Sequence, residues 1–249
     1  MIEDYALISK ELFQVLQKKN VTYLYHANTV ATSLTFIRAK ALLSRFQVEA
    51  DGLAQTSQTS DQKDKDHDVW DHLYLDGQDH HKEYSRANHY GPVVFIFKIE
   101  LLNEDEFKQV YVMRSNPATW DENTTEVEKF YNDIDEVERD YKTNTKLDSQ
   151  IMFTFRHQAY NLNLEKYLFA IGIDEPIIAV KVESGVQIGK RVNIRAIMKQ
   201  AMEKNGLVDL PLLRRHNKVL HGCQCFFQYN YMYNFNKSKF LKLFDPKYV

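Results

Sequence analysis

"YLYHANTVATSLTFIRAKALLSR" spans residues 23–45. Its first part, with Val21 and Thr22 before it, is β-branched and aromatic, as a short buried strand requires. Thr29 can then cap a helix running to about Ala41, with Val30, Leu34, Ile37 and Ala41 on its inner face. Two polar side chains, His26 and Asn28, stand where strand passes into helix, and Ser44 and Arg45 follow the helix. A strand that feeds directly into an amphipathic helix implies a layered fold with helices packed on a sheet.

The same reading extends along the chain. Residues 3–18 have helical spacing, with Tyr5, Ile8, Leu12, Val15 and Leu16 in one stripe. Residues 49–89 are polar and read as a long, partly mobile loop, with "VWDHLYLD" anchored on the core. "PVVFIFKIEL", 92–101, is the clearest strand and should be central. Between Asp121 and Asp140 nine acids face Lys129 and Arg139, and Val127, Phe130, Ile134 and Val137 suit one amphipathic helix. "SQIMFTFR", "YLFAIGID" and "IIAVKV" read as strands, and "VNIRAIMKQAMEKNG" as a helix closed by Gly206. Strands and helices mix without a βαβ rhythm, so the class expected is α+β rather than doubly wound.

The 249 residues suffice for a sizeable core. Two cysteines, Cys223 and Cys225, exclude a disulfide framework and suit a reducing compartment. The amino-terminal residues have neither signal-peptide nor transit-peptide character, and no apolar run approaches the ~18 residues of a membrane span. A cytoplasmic location with no membrane partner is therefore expected. The net charge of −2 hides an asymmetry: residues 181–249 carry thirteen basic and four acidic side chains, the first 180 nineteen and thirty. The basic third suits a polyanion partner, or simple attraction between the two parts of one fold.

Neither a P-loop, nor G-x-G-x-x-G, nor G-x-S-x-G occurs. With 8 glycines, phosphates would have to be held by side chains, which draws attention to Arg45 and Arg156. His67, His72, His80 and His81 lie among five aspartates between residues 66 and 81, but their spacing matches no helix-borne metal motif, and a solvated polar loop is the plainer reading. Cys223 and Cys225 form a single C-x-C with His216 and His221 nearby, weak as a zinc site, and read as two thiols on one face of a strand. No metal is expected.

The order of these pieces resembles the ADP-ribosyltransferase fold, and the DarT-type enzymes that modify nucleic acid in particular. That family's Y-H strand, followed by a helix and G-x-L-x-S/C-R, is similar to "YHAN" and "KALLSR" here. Its D-Y-V-P-L-Y-F resembles "DVWDHLYL", 68–75, and its V-F-S-D-x-N-A-A resembles "VMRSNPA", 112–118. The resemblance covers about residues 21–180. It implies a split antiparallel β core with flanking helices over residues 1–180, and a basic aromatic extension, 181–249, packed on the same domain. It further implies NAD as co-substrate, with His26, Asn28, Ser44, Arg45 and Tyr74 around it: His26 on the nicotinamide-side ribose, Arg45 on the pyrophosphate. The product would be a nucleic-acid base carrying ADP-ribose, and the setting a toxin of a toxin–antitoxin or phage-defence system, with an antitoxin as partner.

One departure concerns the catalytic glutamate, which the family carries in a Q-A-E-F-L-V run entering its final strand. Gln150, in "DSQIMF", stands at the matching place. A carboxylate there would stabilise the oxocarbenium-like state and could deprotonate the acceptor. Either Asp148 acts instead, or the enzyme is weak or dead, or the glutamine replaces a glutamate in an inactivated form. The different-class alternative is a catalytically dead module of this fold that binds nucleic acid or a partner protein.

The carboxy-terminal "CQCFFQYNYMYNFNKSKF" alternates aromatic and polar residues. Read as a strand, it aligns Tyr229, Tyr231, Tyr233 and Phe235 on one face with Lys237 and Lys239 close behind, and Arg156 is the further nucleic-acid candidate. Alternatively that aromatic face packs on the core.

Overall fold

The computed structural model describes residues 2–81, 86–142, 151–156, 161–182, 185–215 and 224–248. The fold is α+β. Its main sheet has eight strands: β1 (Leu7–Ile8), β6 (Gln109–Met113), β7 (Met152–Arg156), β4 (His72–Asp76), β2 (Tyr23–Asn28), β5 (Val93–Lys98), β9 (Leu168–Asp174) and β12 (Leu212–Arg215), in that spatial order. Neighbours are antiparallel, except that β12 runs parallel to β9. Two small sheets, β3 (Ala41–Leu42) with β8 (Leu162–Asn163) and β10 (Ile177–Val182) with β11 (Gly185–Arg191), complete the strands described.

The main sheet has a weak seam. β2 pairs with β5 along all six of its residues, but with β4 only through Tyr25 and Asp76. Backbone groups beside a seam need other partners. The Tyr74 carbonyl on β4 finds one in the imidazole of His26 on β2, 2.8 Å away. The seam is thus both a joint in the fold and the place where polar side chains collect.

β5 is the central strand expected, with Phe95 and Phe97 fully buried, each contributing on the order of 1.5–3 kcal/mol. Helix α2 (Val30–Ala39) covers that face through Leu34, Phe36 and Ile37. Thr29 caps it, accepting from the Thr32 amide at 3.3 Å, and Lys40 ends it in the left-handed conformation. The helix ends two residues sooner than its spacing suggests, because Ala41 and Leu42 leave it to pair with β8.

Three expectations are corrected. Residues 3–18 are not one helix: a 3-10 turn (Ile2–Tyr5) and β1 precede α1 (Ser9–Lys18), since Leu7 pairs with Val110 across the sheet. The stretch 121–140 is two short helices, α5 (Glu126–Lys129) and α6 (Ile134–Asp140), interrupted at Phe130, which bridges to Met113 and is fully buried. The polar stretch 49–89 holds α3 (Arg45–Ala50), α4 (Asp61–Asp66) and β4 rather than one long loop.

The largest correction is at the carboxy terminus. Residues 225–235 form α9 (Cys225–Phe235), not a strand, followed by α10 (Lys237–Phe244). At about 100° per residue, Tyr229 and Tyr233 turn one way and Tyr231 the other. Tyr229 is fully buried and donates to Asp174 Oδ2 at 2.8 Å, so it cannot serve as a stacking platform. Burial alone would raise the Asp174 carboxyl, but the Arg215 guanidinium, His81 and Tyr229 outweigh it and hold it below the usual carboxylate range. Arg215 also binds Asp79 at 2.5 Å. This buried cluster fastens α9 and β12 to β9, so the basic third is built onto the same sheet as the rest. Cys225 is buried at the start of α9 rather than on a strand, and Cys223 lies outside the described residues. The remaining described helices are α7 (Leu164–Tyr167) and α8 (Ile194–Lys204), the latter followed by Gly206 at φ +74° as expected.

Gly91 sits at φ +153°, where a side chain is rarely tolerated. A Cβ there would fall 2.0 Å from the Asn28 carbonyl oxygen and 2.5 Å from the Thr29 amide nitrogen. Both are backbone atoms at the β2–α2 junction and cannot swing aside. Gly91→Ala should destabilise the fold by about 3 kcal/mol, read as a lower urea midpoint at an unchanged m-value.

Candidate active site

A cleft with a cavity volume of about 100 Å³ opens beside the seam between β2 and β4. Of the residues singled out from the sequence, His26, Asn28, Ser44, Arg45 and Tyr74 all line it. They come from β2, from the cap and first residue of α3, and from β4.

His26 is fixed in one tautomer. A carbonyl can only accept, so His26 Nδ1 carries the proton and donates to Tyr74 O. Nε2 is then the acceptor, and Asn28 Nδ2 donates to it at 3.2 Å. Asn28 is oriented in turn, because its Oδ1 accepts from the Thr29 amide at 2.8 Å. Burial pushes His26 down to about 4; the Tyr74 carbonyl opposes this and the Arg45 charge adds to it. The imidazole is neutral at pH 7.

Arg45 does not ride at the end of α2. It begins α3, one turn of chain beyond β3, and Ser44 caps that helix by accepting from the Gln47 amide at 3.1 Å. Arg45 Nη2 donates to Asp61 Oδ2 at 2.7 Å and to the Thr56 carbonyl at 3.1 Å, and its guanidinium lies 5.2 Å from the centre of the Trp70 ring. The loop carrying Thr56 is laced to α2 by hydroxyls: Thr29 Oγ1 to Thr56 Oγ1 at 2.8 Å, and Thr35 Oγ1 to the Ala54 carbonyl at 2.6 Å. Arg45 is therefore held in one pose, yet its Nε is buried without a hydrogen-bond partner.

Several cleft residues carried no site assignment from the sequence. His72 on β4 is fully buried, with Nδ1 2.8 Å from Thr154 Oγ1 and Nε2 without a hydrogen-bond partner. Burial, helped by Arg156, pushes it down to about 3, so it too is neutral. Asp64 on α4 is buried in the cleft wall; burial raises its carboxyl to about 6, against a hydrogen bond from Ser60. Tyr90 and Asn116 complete one side, Asn116 Nδ2 donating to Tyr90 Oη at 2.6 Å. Gln55 contributes a buried Oε1, also without a partner. Arg45, Gln55 and His72 thus each bring to the cleft wall a buried polar atom without a hydrogen-bond partner, at Nε, Oε1 and Nε2 respectively.

Other candidates stand elsewhere. Arg156 is held by Asp68 at 2.6 Å, Glu3 at 3.3 Å and Asp71 at 3.5 Å. Tyr233 carries the Lys237 ammonium 3.3 Å above its ring, while Tyr231 and Lys239 are exposed. Asp148 and Gln150 lie outside the described residues; β7 begins at Met152, which lines the cleft. Among the described residues no group of three or more His, Cys, Asp or Glu side chains could hold a metal ion, and no helix is long and apolar enough to cross a membrane. No protein-family model matches the sequence, and no curated protein is detectably similar to it.

Proposed function

We propose that the protein is an NAD-dependent ADP-ribosyltransferase whose acceptor is a nucleic-acid base, acting as the toxin of a toxin–antitoxin or phage-defence pair. One observation carries this reading: His26, Asn28, Ser44, Arg45 and Tyr74, separated by up to forty-eight positions in the chain, meet in one cleft. The donor set fits the dinucleotide. The Arg45 guanidinium offers its positive charge to a pyrophosphate, and Asn28, oriented by the neutral His26, keeps a second Nδ2 proton and a second Oδ1 lone pair for ribose hydroxyls. The Tyr74 ring offers a flat apolar wall. In the reaction the bond from the ribose C1′ to nicotinamide breaks, nicotinamide leaves with the bonding electrons, and C1′ bonds to a nucleophilic atom of the base, whose proton passes to a general base. Gln150 is what favours the alternative, a binding module of the same fold without turnover.

Arg45→Ala tests the binding half. NAD at saturating concentration should raise the melting temperature of the unaltered protein and do so much less for the variant, whose affinity falls about a hundredfold. Arg45→Lys should restore part of it, because the charge survives and the planar fork does not. Equal stabilisation of all three proteins by NAD would refute the role of Arg45, and no stabilisation of any would refute the cofactor.

A further inference from the structure

The helix that displaced the expected carboxy-terminal strand creates a different aromatic surface. Phe227, Tyr231 and Phe235 fall at i, i+4 and i+8 on α9, and they are 58%, 64% and 70% exposed. Large apolar rings exposed in a row on one helix mark an interaction site. Tyr231 and Phe235 stand 5.2 Å apart, centre to centre. Beside them runs a groove lined by Phe227, Tyr231, Lys239 and His89.

Three features identify what the groove takes. Its neighbourhood is basic: residues 224–248 hold Lys237, Lys239, Lys242 and Lys247 against Asp245 alone. Its Tyr231 and Phe235 ring centres stand 5.2 Å apart, about one and a half times the ~3.4 Å per nucleotide of one duplex strand. Such a spacing receives splayed bases and not a stacked duplex. Finally, one stretch of chain links it to the cleft: His89 lines the groove, and its chain neighbour Tyr90 lines the cleft.

We infer that Phe227, Tyr231 and Phe235 on α9, with Lys239, form a docking track for single-stranded nucleic acid that leads to the cleft past His89 and Tyr90. Bases stack on the rings, and the lysine follows the phosphates. Delivery of a base to the cleft rests on the transferase reading; the track itself does not.

The test is fluorescence anisotropy with a labelled oligo(dT) and oligo(U) of about twelve nucleotides, and a duplex of the same length. The protein should bind a single strand more tightly than the duplex. Combined replacement of Phe227, Tyr231 and Phe235 by Ala should weaken this about thirtyfold or more. The rings lie outside the cleft, so NAD stabilisation should stay unchanged. Lys239→Glu should weaken binding and reduce the salt slope by about one. Equal affinity of the triple variant and the unaltered protein overturns the track. So does preference for duplex, or a triple variant whose only change is lost self-association, which would make the face a protein contact. Loss of NAD stabilisation with oligonucleotide binding intact would sink the transferase reading and leave the track standing.

Discussion

Gln150→Glu should raise NAD consumption about a thousandfold over the unaltered protein, with nicotinamide released and ADP-ribose appearing on an oligonucleotide by mass spectrometry. The magnitude follows from the chemistry. As the glycosidic bond of NAD lengthens, positive charge gathers on the ribose, and an adjacent carboxylate lowers that state by electrostatics. A single well-placed electrostatic group is commonly worth 10²–10³ in rate, and a general base contributes a comparable factor. Glutamine has the shape of glutamate and some of its hydrogen bonds, but no charge and no basicity. Residue 150 is not among the groups assigned to NAD binding, so KM for NAD should change far less than kcat. Three outcomes separate the readings. A gain in turnover supports a transferase silenced at one position. A basal turnover abolished by Asp148→Ala and untouched by Gln150→Glu moves the carboxylate two residues earlier. NAD binding without turnover in either variant makes the protein a binding module.

The parts of this site that are legible in sequence are those fixed by local forces. Thr29 announces a helix start because its hydroxyl can satisfy an amide two or three residues on, and β5 announces itself by five consecutive apolar or aromatic residues, Val93 to Phe97, suited to a sheet interior. The fold class follows from such elements, and so do His26, Asn28, Ser44 and Arg45, which flank them. Asp64, Gln55 and Tyr90 are not legible. They lie on segments whose path is set by distant contacts, such as the Thr29–Thr56 hydroxyl pair and the Arg45–Asp61 ion pair. The misreading of residues 225–235 has a definite cause. Positions 229, 231, 233 and 235 alternate as a strand would, yet 225, 229 and 232 are also the buried stripe of a helix. The choice between the two periods is made by the Tyr229 hydroxyl, which reaches the buried Asp174 carboxylate.

Acid should destabilise the fold through the same imidazoles that line the cleft. His26 and His72 are held down to about 4 and about 3, while in the unfolded chain both titrate near 6.5. Between pH 6.5 and 4 the unfolded chain therefore binds two protons that the folded protein does not, and stability falls as pH falls. Asp64 acts in the opposite sense. Its carboxyl is raised to about 6, so from pH 6 down to 3.8 the folded protein holds a proton that the unfolded chain lacks. At 1.36 kcal/mol per pH unit per group, the two histidines outweigh the one aspartate. His26 keeps an edge open to the cleft, where water softens its contribution, so His72 carries the larger share. The net loss from pH 6.5 to 4 should be about 3 kcal/mol, measured as the fall in urea unfolding free energy. His72→Gln removes one of the two imidazoles and leaves His26 opposed by Asp64, so its stability should be nearly flat from pH 6 to 4. Asp64→Asn removes the opposing group and should steepen the loss. Parallel pH profiles for all three proteins would show that acid acts on other groups, and that neither buried imidazole is held neutral by the cleft.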